Sequence, residues 1–159
     1  MELTPETVAA ERARVRENET IPALMNDVRS RLGPLFGVEV DRVTAEQYRR
    51  EVDAVFSDGD RAVNVAALCG ILRDLDCDGD YPGFVVDEFL GRKLAATIAG
   101  GEPHATLAEA TFHFADVHTH GEADDAAGAD DLDAALAAGF QTRLPGWEWT
   151  ESDSPFAVE

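Results

Sequence analysis

Glu109, His113, Asp116 and His120 fall at i, i+4, i+7 and i+11 in a stretch that reads as helix. At 100° per residue they share an arc of about 60° on one side of that helix. Imidazoles and carboxylates at helical spacing are the donors of zinc and di-iron sites, so metal binding, zinc first, is the chemistry this row could do. His118 adds a second imidazole close to His120. The apolar residues of the same helix, Leu107, Thr111 and Phe114, lie opposite the row, which is therefore expected to face solvent. His104 and His118 project to the apolar side.

A second constellation is Asp74-Leu75-Asp76-Cys77-Asp78-Gly79. Alternate aspartates ahead of a glycine resemble the start of an EF-hand calcium loop. That resemblance implies Asp74, Asp76 and Asp78 as calcium ligands, with the Asp80 carbonyl beside them. The loop departs from the pattern where a bidentate glutamate should close the site, because Val85 stands there. Any calcium held by these three aspartates is expected to be held weakly.

Nucleophilic chemistry has little to work with. Cys69 sits beside Leu68 in an apolar helix and is expected to be an inert, packed thiol. Cys77 is surrounded by aspartates, which oppose thiolate formation. The sequence carries no Gly-rich phosphate loop, nucleophile elbow or Cys-x-x-Cys. No catalytic residue is assigned, and the expectation is a protein without catalytic machinery. Glu102-Pro103 ahead of a helix with Leu and Phe resembles the all-helical maturation chaperones of redox enzymes. Their Glu-Pro is followed by Asp-His, and here Ala105 and Thr106 take those places, so no site residue carries over.

The last chemistry-bearing feature is Leu144-Pro145-Gly146-Trp147-Glu148-Trp149, ahead of an acidic end with Phe156. Trp147 and Trp149 are the only tryptophans and are costly to leave in water. They are expected to anchor a contact, either with the chain's own helices or with a protein partner.

The elements that must position these groups are helices. Thr4-Pro5-Glu6 opens one that should reach Asn18. Ile21, Leu24, Met25, Val28 and Leu32 define a second, which Gly33-Pro34 should stop. Leu35 to Val40 is the one plausible extended stretch. Thr44, with Glu46 and Gln47 at capping-box distance, caps a third helix that buries Tyr48, Val52, Val55 and Phe56. A fourth carries Val65, Leu68, Ile71, Leu72 and Leu75; a fifth, opened by Pro82, carries Val86, Phe89, Leu90, Leu94 and Ile98. A sixth spans about 105–118, and a short seventh starts at Asp130 or Asp131 and runs through Leu132, Leu136 and Phe140. The expected fold is all-α: a single-domain bundle of six or seven helices over residues 1–143, with an aromatic tail at 144–159 that packs on the domain or on a partner.

Charge narrows the function. The 159 residues hold 32 Asp and Glu against 13 Lys and Arg, a net of −19. Residues 1–50 account for only −1 of this and residues 51–159 for −18. Lys93 is the only lysine, and no arginine lies between it and Arg143. Nucleic-acid and anionic-membrane binding need clustered cations and are excluded. No apolar run approaches the roughly 20 residues of a membrane span, and no signal peptide follows Met1. The composition resembles that of cytoplasmic proteins of extreme halophiles, in which molar salt screens such repulsion. The expectation is a small, acidic, salt-adapted cytoplasmic protein that acts through protein contacts or self-association, in a regulatory or adaptor role. The rival is a metal-binding helical protein using zinc or calcium.

Overall fold

The structure, a computed structural model, describes residues 1–75, 86–119 and 127–147, and their side chains except at 118–119 and 127–130. Among the described residues it is all helical, with α1 Pro5–Glu17, α2 Thr20–Phe36, α3 Ala45–Phe56, α4 Gly59–Asp74, α5 Val86–Ala99, α6 His104–Thr119 and α7 Ala127–Gln141, and no strand. They share one hydrophobic core. None of these helices is long and apolar enough to cross a membrane.

Two helix starts form as their side chains dictate. Thr4 and Thr7 close a capping box at α1, and Thr44 and Gln47 close another at α3, where Gln47 N–H donates to Thr44 Oγ1 at 3.1 Å and Thr44 N–H to Gln47 Oε1 at 2.9 Å. The end of α2 is different from expectation. Gly33-Pro34 does not stop it; the helix runs one turn further, to Phe36. Proline removes a single backbone donor, and Gly37, at φ 68°, supplies the left-handed stop instead. Val38 N–H then reaches back to the Gly33 carbonyl at 2.9 Å. Leu35 and Phe36 are thus helical, and Val38–Val40 follow without regular structure.

The centre of the bundle is α7, packed mainly against α5 and α6 and also touching α2 and α4. It is longer than its apolar spacing suggests, starting at Ala127, because alanines favour helix ahead of the first leucine. From Asp131 to Thr142 every residue but Asp133 is buried. Alanines and Gly139 make this possible. A Cβ at Gly139 would lie 2.8 Å from Ile98 Cβ and 3.0 Å from the Ala95 carbonyl, so α5 and α7 are in backbone contact. Gly91 does the same for α5 on α6, where a Cβ would meet the Phe112 ring at 2.5 Å.

Two helices are rotated from their expected settings. On α4 the buried stripe is Ala62, Val65, Ala66, Cys69 and Leu72, while Leu68 is half-buried and Ile71 is exposed. On α5 it is Gly91, Leu94, Ala95, Ile98 and Ala99, which turns Val86 and Phe89 outward. Small residues let neighbouring helices come near, and that gain outweighs burial of the larger side chains on the flank.

Candidate functional site

Three helices bring aspartates together at one end of the bundle. Asp131 on α7 is 3% exposed and hydrogen-bonds with Asp87, in the first turn of α5, and with Asp116, near the end of α6. Two carboxylates can share a hydrogen bond only when one carries the proton. Burial, then these hydrogen bonds and the neighbouring negative charges, push the Asp131 carboxyl up to about 10. It is therefore a neutral acid at physiological pH, placed between Asp87 and Asp116. Beside it, on the outer surface, Arg92 Nη2 bridges to Glu88 Oε1 at 2.7 Å, and His113 Nδ1 lies 3.9 Å from the same oxygen.

The predicted metal row is divided by this arrangement. Glu109 and His113 are exposed, as their helical position implied. Asp116 is half-buried and turned toward Asp131, because the first turns of α7 pack against this part of α6. The buried face of α6 is Leu107, Ala108, Thr111, Phe112 and Ala115, one residue round from the expected stripe, which brings Asp116 to its edge. His120 lies outside the described residues. Asp74 is the exposed last residue of α4, and Asp76 and Asp78 lie outside the described residues. Among the described residues no three His, Cys, Asp or Glu side chains are disposed to hold a metal ion. Cys69 is fully buried, and burial raises its thiol far above the usual range, followed by the nearby charge of Glu11.

A second polar centre, which the sequence reading missed, lies at the C-terminal end of α7. Arg29 on α2 is 2% exposed. Its Nε donates to the Asp41 carbonyl at 3.1 Å, Nη1 to the Gln141 carbonyl at 3.0 Å, and Nη2 to the Pro145 carbonyl. Burial lowers its pKa to about 10, against the pull of Asp41, and it stays charged at neutral pH. The guanidinium carbon lies 5.6 Å from the centroid of the Trp147 ring, a cation–π distance. Trp147 is 3% exposed, donates from Nε1 to the Gln141 carbonyl at 3.2 Å, and meets Phe36 edge-on at 5.9 Å between centroids.

Gly146 allows this approach. Its φ is 131°, and a Cβ there would fall 2.7 Å from Val40 Cγ1 and 3.2 Å from Arg29 Nη2. Trp147 is thus committed to the chain's own core; Trp149 lies outside the described residues. Arg29 follows Val28 on α2 and is i+4 from Met25, both on the buried stripe, and that flank position was its only signal in the sequence. Arg143 adds a lesser clamp, donating to Glu51 Oε2 at 2.8 Å and to the Ile98 carbonyl at 3.2 Å.

Taken together, these features define a small all-helical bundle with one hydrophobic core and two buried polar centres, at Asp131 and at Arg29. The chain belongs to the family described as a domain of unknown function, DUF7984, which matches residues 1–159. Comparison with curated proteins and with solved structures finds no match.

Proposed function

We propose that this chain is an acidic, salt-adapted interaction module that binds a partner segment carrying both apolar and cationic side chains. The observation that carries the reading is the outward setting of large apolar residues at the aspartate end of the bundle. Phe89 is 71% exposed, Val86 43% and Val117 55%. Val86 and Phe89 are i and i+3 on α5 and share a face. Contacts of Glu88 with His113 and of Asp87 with Asp116 through Asp131 set the start of α5 beside the end of α6, where Val117 lies. Burying a phenylalanine is worth about 1.5–3 kcal/mol, so its exposure favours a partner that covers it.

Charge selects the partner. Residues 51–159 carry −18, and Asp87 and Glu88 lie between Val86 and Phe89 in the first turn of α5. An acidic partner would be repelled, whereas an amphipathic segment with Lys or Arg would be attracted and seated. An amphipathic peptide of leucine and lysine should therefore bind the intact chain, and its leucine–glutamate counterpart should not. Phe89→Glu should weaken the basic peptide by about tenfold or more without changing the melting temperature, because the side chain is outside the core. Equal binding by the wild type and the variant would reject this surface.

Salt adaptation supports the same setting. The −18 of residues 51–159 is a self-repulsion that salt relieves, the Debye length falling to about 3 Å at 1 M. The melting midpoint is expected to rise steadily from low to molar KCl. A midpoint that stays flat over that range would remove the salt-adapted reading.

A further inference from the structure

Residues 51–159 hold five basic residues, Arg61, Arg73, Arg92, Lys93 and Arg143. Three of them are committed to carboxylates: Arg73 to Glu11 at 2.6 Å, Arg92 to Glu88 at 2.7 Å and Arg143 to Glu51 at 2.8 Å. The other two, Arg61 and Lys93, line one open cavity of about 420 Å³, where the start of α4 meets the end of α5 and the start of α6. Val86 and Phe89 lie at the opposite end of α5. Asp58, Asp60, Asn64 and Thr97 complete the polar wall, and the only apolar side chains are those of Ala96 and Ala105. The cavity thus carries two charges of each sign, in a stretch of the chain whose net charge is −18.

These groups have bonding capacity to spare. Lys93 makes no ion pair among the described residues, and the Asn64 amide makes no hydrogen bond among them. Arg61 Nε lies 3.7 Å from Asp58 Oδ2, too far for a hydrogen bond. Gly100 lets the guanidinium lie against the end of α5: its φ is 96°, and a Cβ there would fall 3.0 Å from Arg61 Nη2. Asp58 is the N-cap of α4, but its carboxylate makes no capping hydrogen bond. A guanidinium fork beside an ammonium is a donor set for a carboxylate. A dianion would be repelled by Asp58 and Asp60, and a simple cation by Arg61 and Lys93. One charge of each sign on a single small molecule satisfies both pairs. We propose that this cavity binds a free α-amino acid with a small polar side chain. Its carboxylate is held by Arg61 and Lys93, its ammonium by Asp58 and Asp60, and its side chain lies beside Asn64 and Thr97. Alanines at 96 and 105 offer no apolar pocket for a larger side chain. This does not depend on the interaction proposed for Phe89.

L-Serine titrated into the full chain should give saturable amide shifts at Asn64, Lys93, Thr97 and Gly100. Ethanolamine lacks the carboxylate and acetate lacks the ammonium, so each should bind at least about tenfold more weakly than serine. Lys93→Met and Asp58→Asn should each weaken serine by about tenfold or more. Both side chains are exposed, and the Asp58 carboxylate does not cap its helix, so the melting midpoint of either variant should stay near that of the wild type. Ethanolamine or acetate binding as tightly as serine overturns the proposal, because one charge alone would then account for the contact. Serine that shifts no amide at the cavity also overturns it, as does serine affinity left unchanged by either variant.

Discussion

Arg29→Met should lower the unfolding free energy by about 3–4 kcal/mol. Methionine keeps most of the stem volume, so the effect isolates the guanidinium. Three carbonyls, of Asp41, Gln141 and Pro145, lose a charged donor together. Gln141 keeps the Trp147 indole N–H, but Asp41 and Pro145 must turn to water. The Trp147 ring also loses its cation, worth about 0.5–2 kcal/mol. For a chain of this length the midpoint should fall by roughly 10 °C. Arg29→Lys keeps the charge but cannot span three acceptors, and should fall between the two. A calorimetric scan in which Arg29→Met melts with the wild type would show that the C-terminal segment is held by other contacts.

Asp131→Asn should change how stability depends on pH. The folded carboxyl is raised to about 10 by burial first and then by Asp87 and Asp116, and the unfolded value is about 3.9. Between those values the folded state binds a proton that the unfolded state has released. Stability therefore falls as pH rises through this window. Asparagine has no such proton and still offers an N–H to Asp87 and Asp116. The variant should be the more stable of the two at pH 8, and the advantage should shrink toward pH 5. Asp53 runs the other way: burial opposes ionisation, but Arg12 and Arg16 overcome it and hold its carboxyl below the usual range. Its contribution is lost only in acid, below the window in which Asp131 acts. Denaturant titrations of both proteins across pH 5–9 that give parallel curves would contradict a neutral Asp131.

Where one strong local signal decided the structure, sequence reading reached it. The stripe Ile21, Leu24, Met25, Val28 and Leu32 is buried throughout, and Tyr48, Val52, Val55 and Phe56 behave alike on α3. Of the two partners within reach of Thr44, Glu46 and Gln47, it is Gln47 that closes the capping box. What escaped depended on the approach of one helix to another. Periodicity places Phe89 with Leu90 and Leu94, but the contacts of Gly91 on Phe112 and Gly139 on Ile98 turn α5 so that Phe89 faces out. Asp131 reads as a polar helix start because nothing nearby in sequence announces Asp87 or Asp116, which come from two other helices. It lies i−4 and i−7 from Ala135 and Ala138, and small buried residues give that register little contrast. Arg29 is similar: its acceptors at Gln141 and Pro145 are more than a hundred residues away, and they are backbone groups, which leave no mark in residue type.

The central claim, that exposed apolar residues at the aspartate end of the bundle bind a cationic amphipathic segment, is tested most directly by mapping that contact on the folded chain in molar KCl. Backbone amide shifts should be followed while the leucine–lysine peptide is added. Salt at that strength screens diffuse attraction to the acidic surface and leaves apolar contact in place. The account predicts saturable shifts concentrated at Val86, Phe89 and Val117, absent with Phe89→Glu. Shifts spread evenly over the acidic surface, or lost altogether in molar salt, would contradict it.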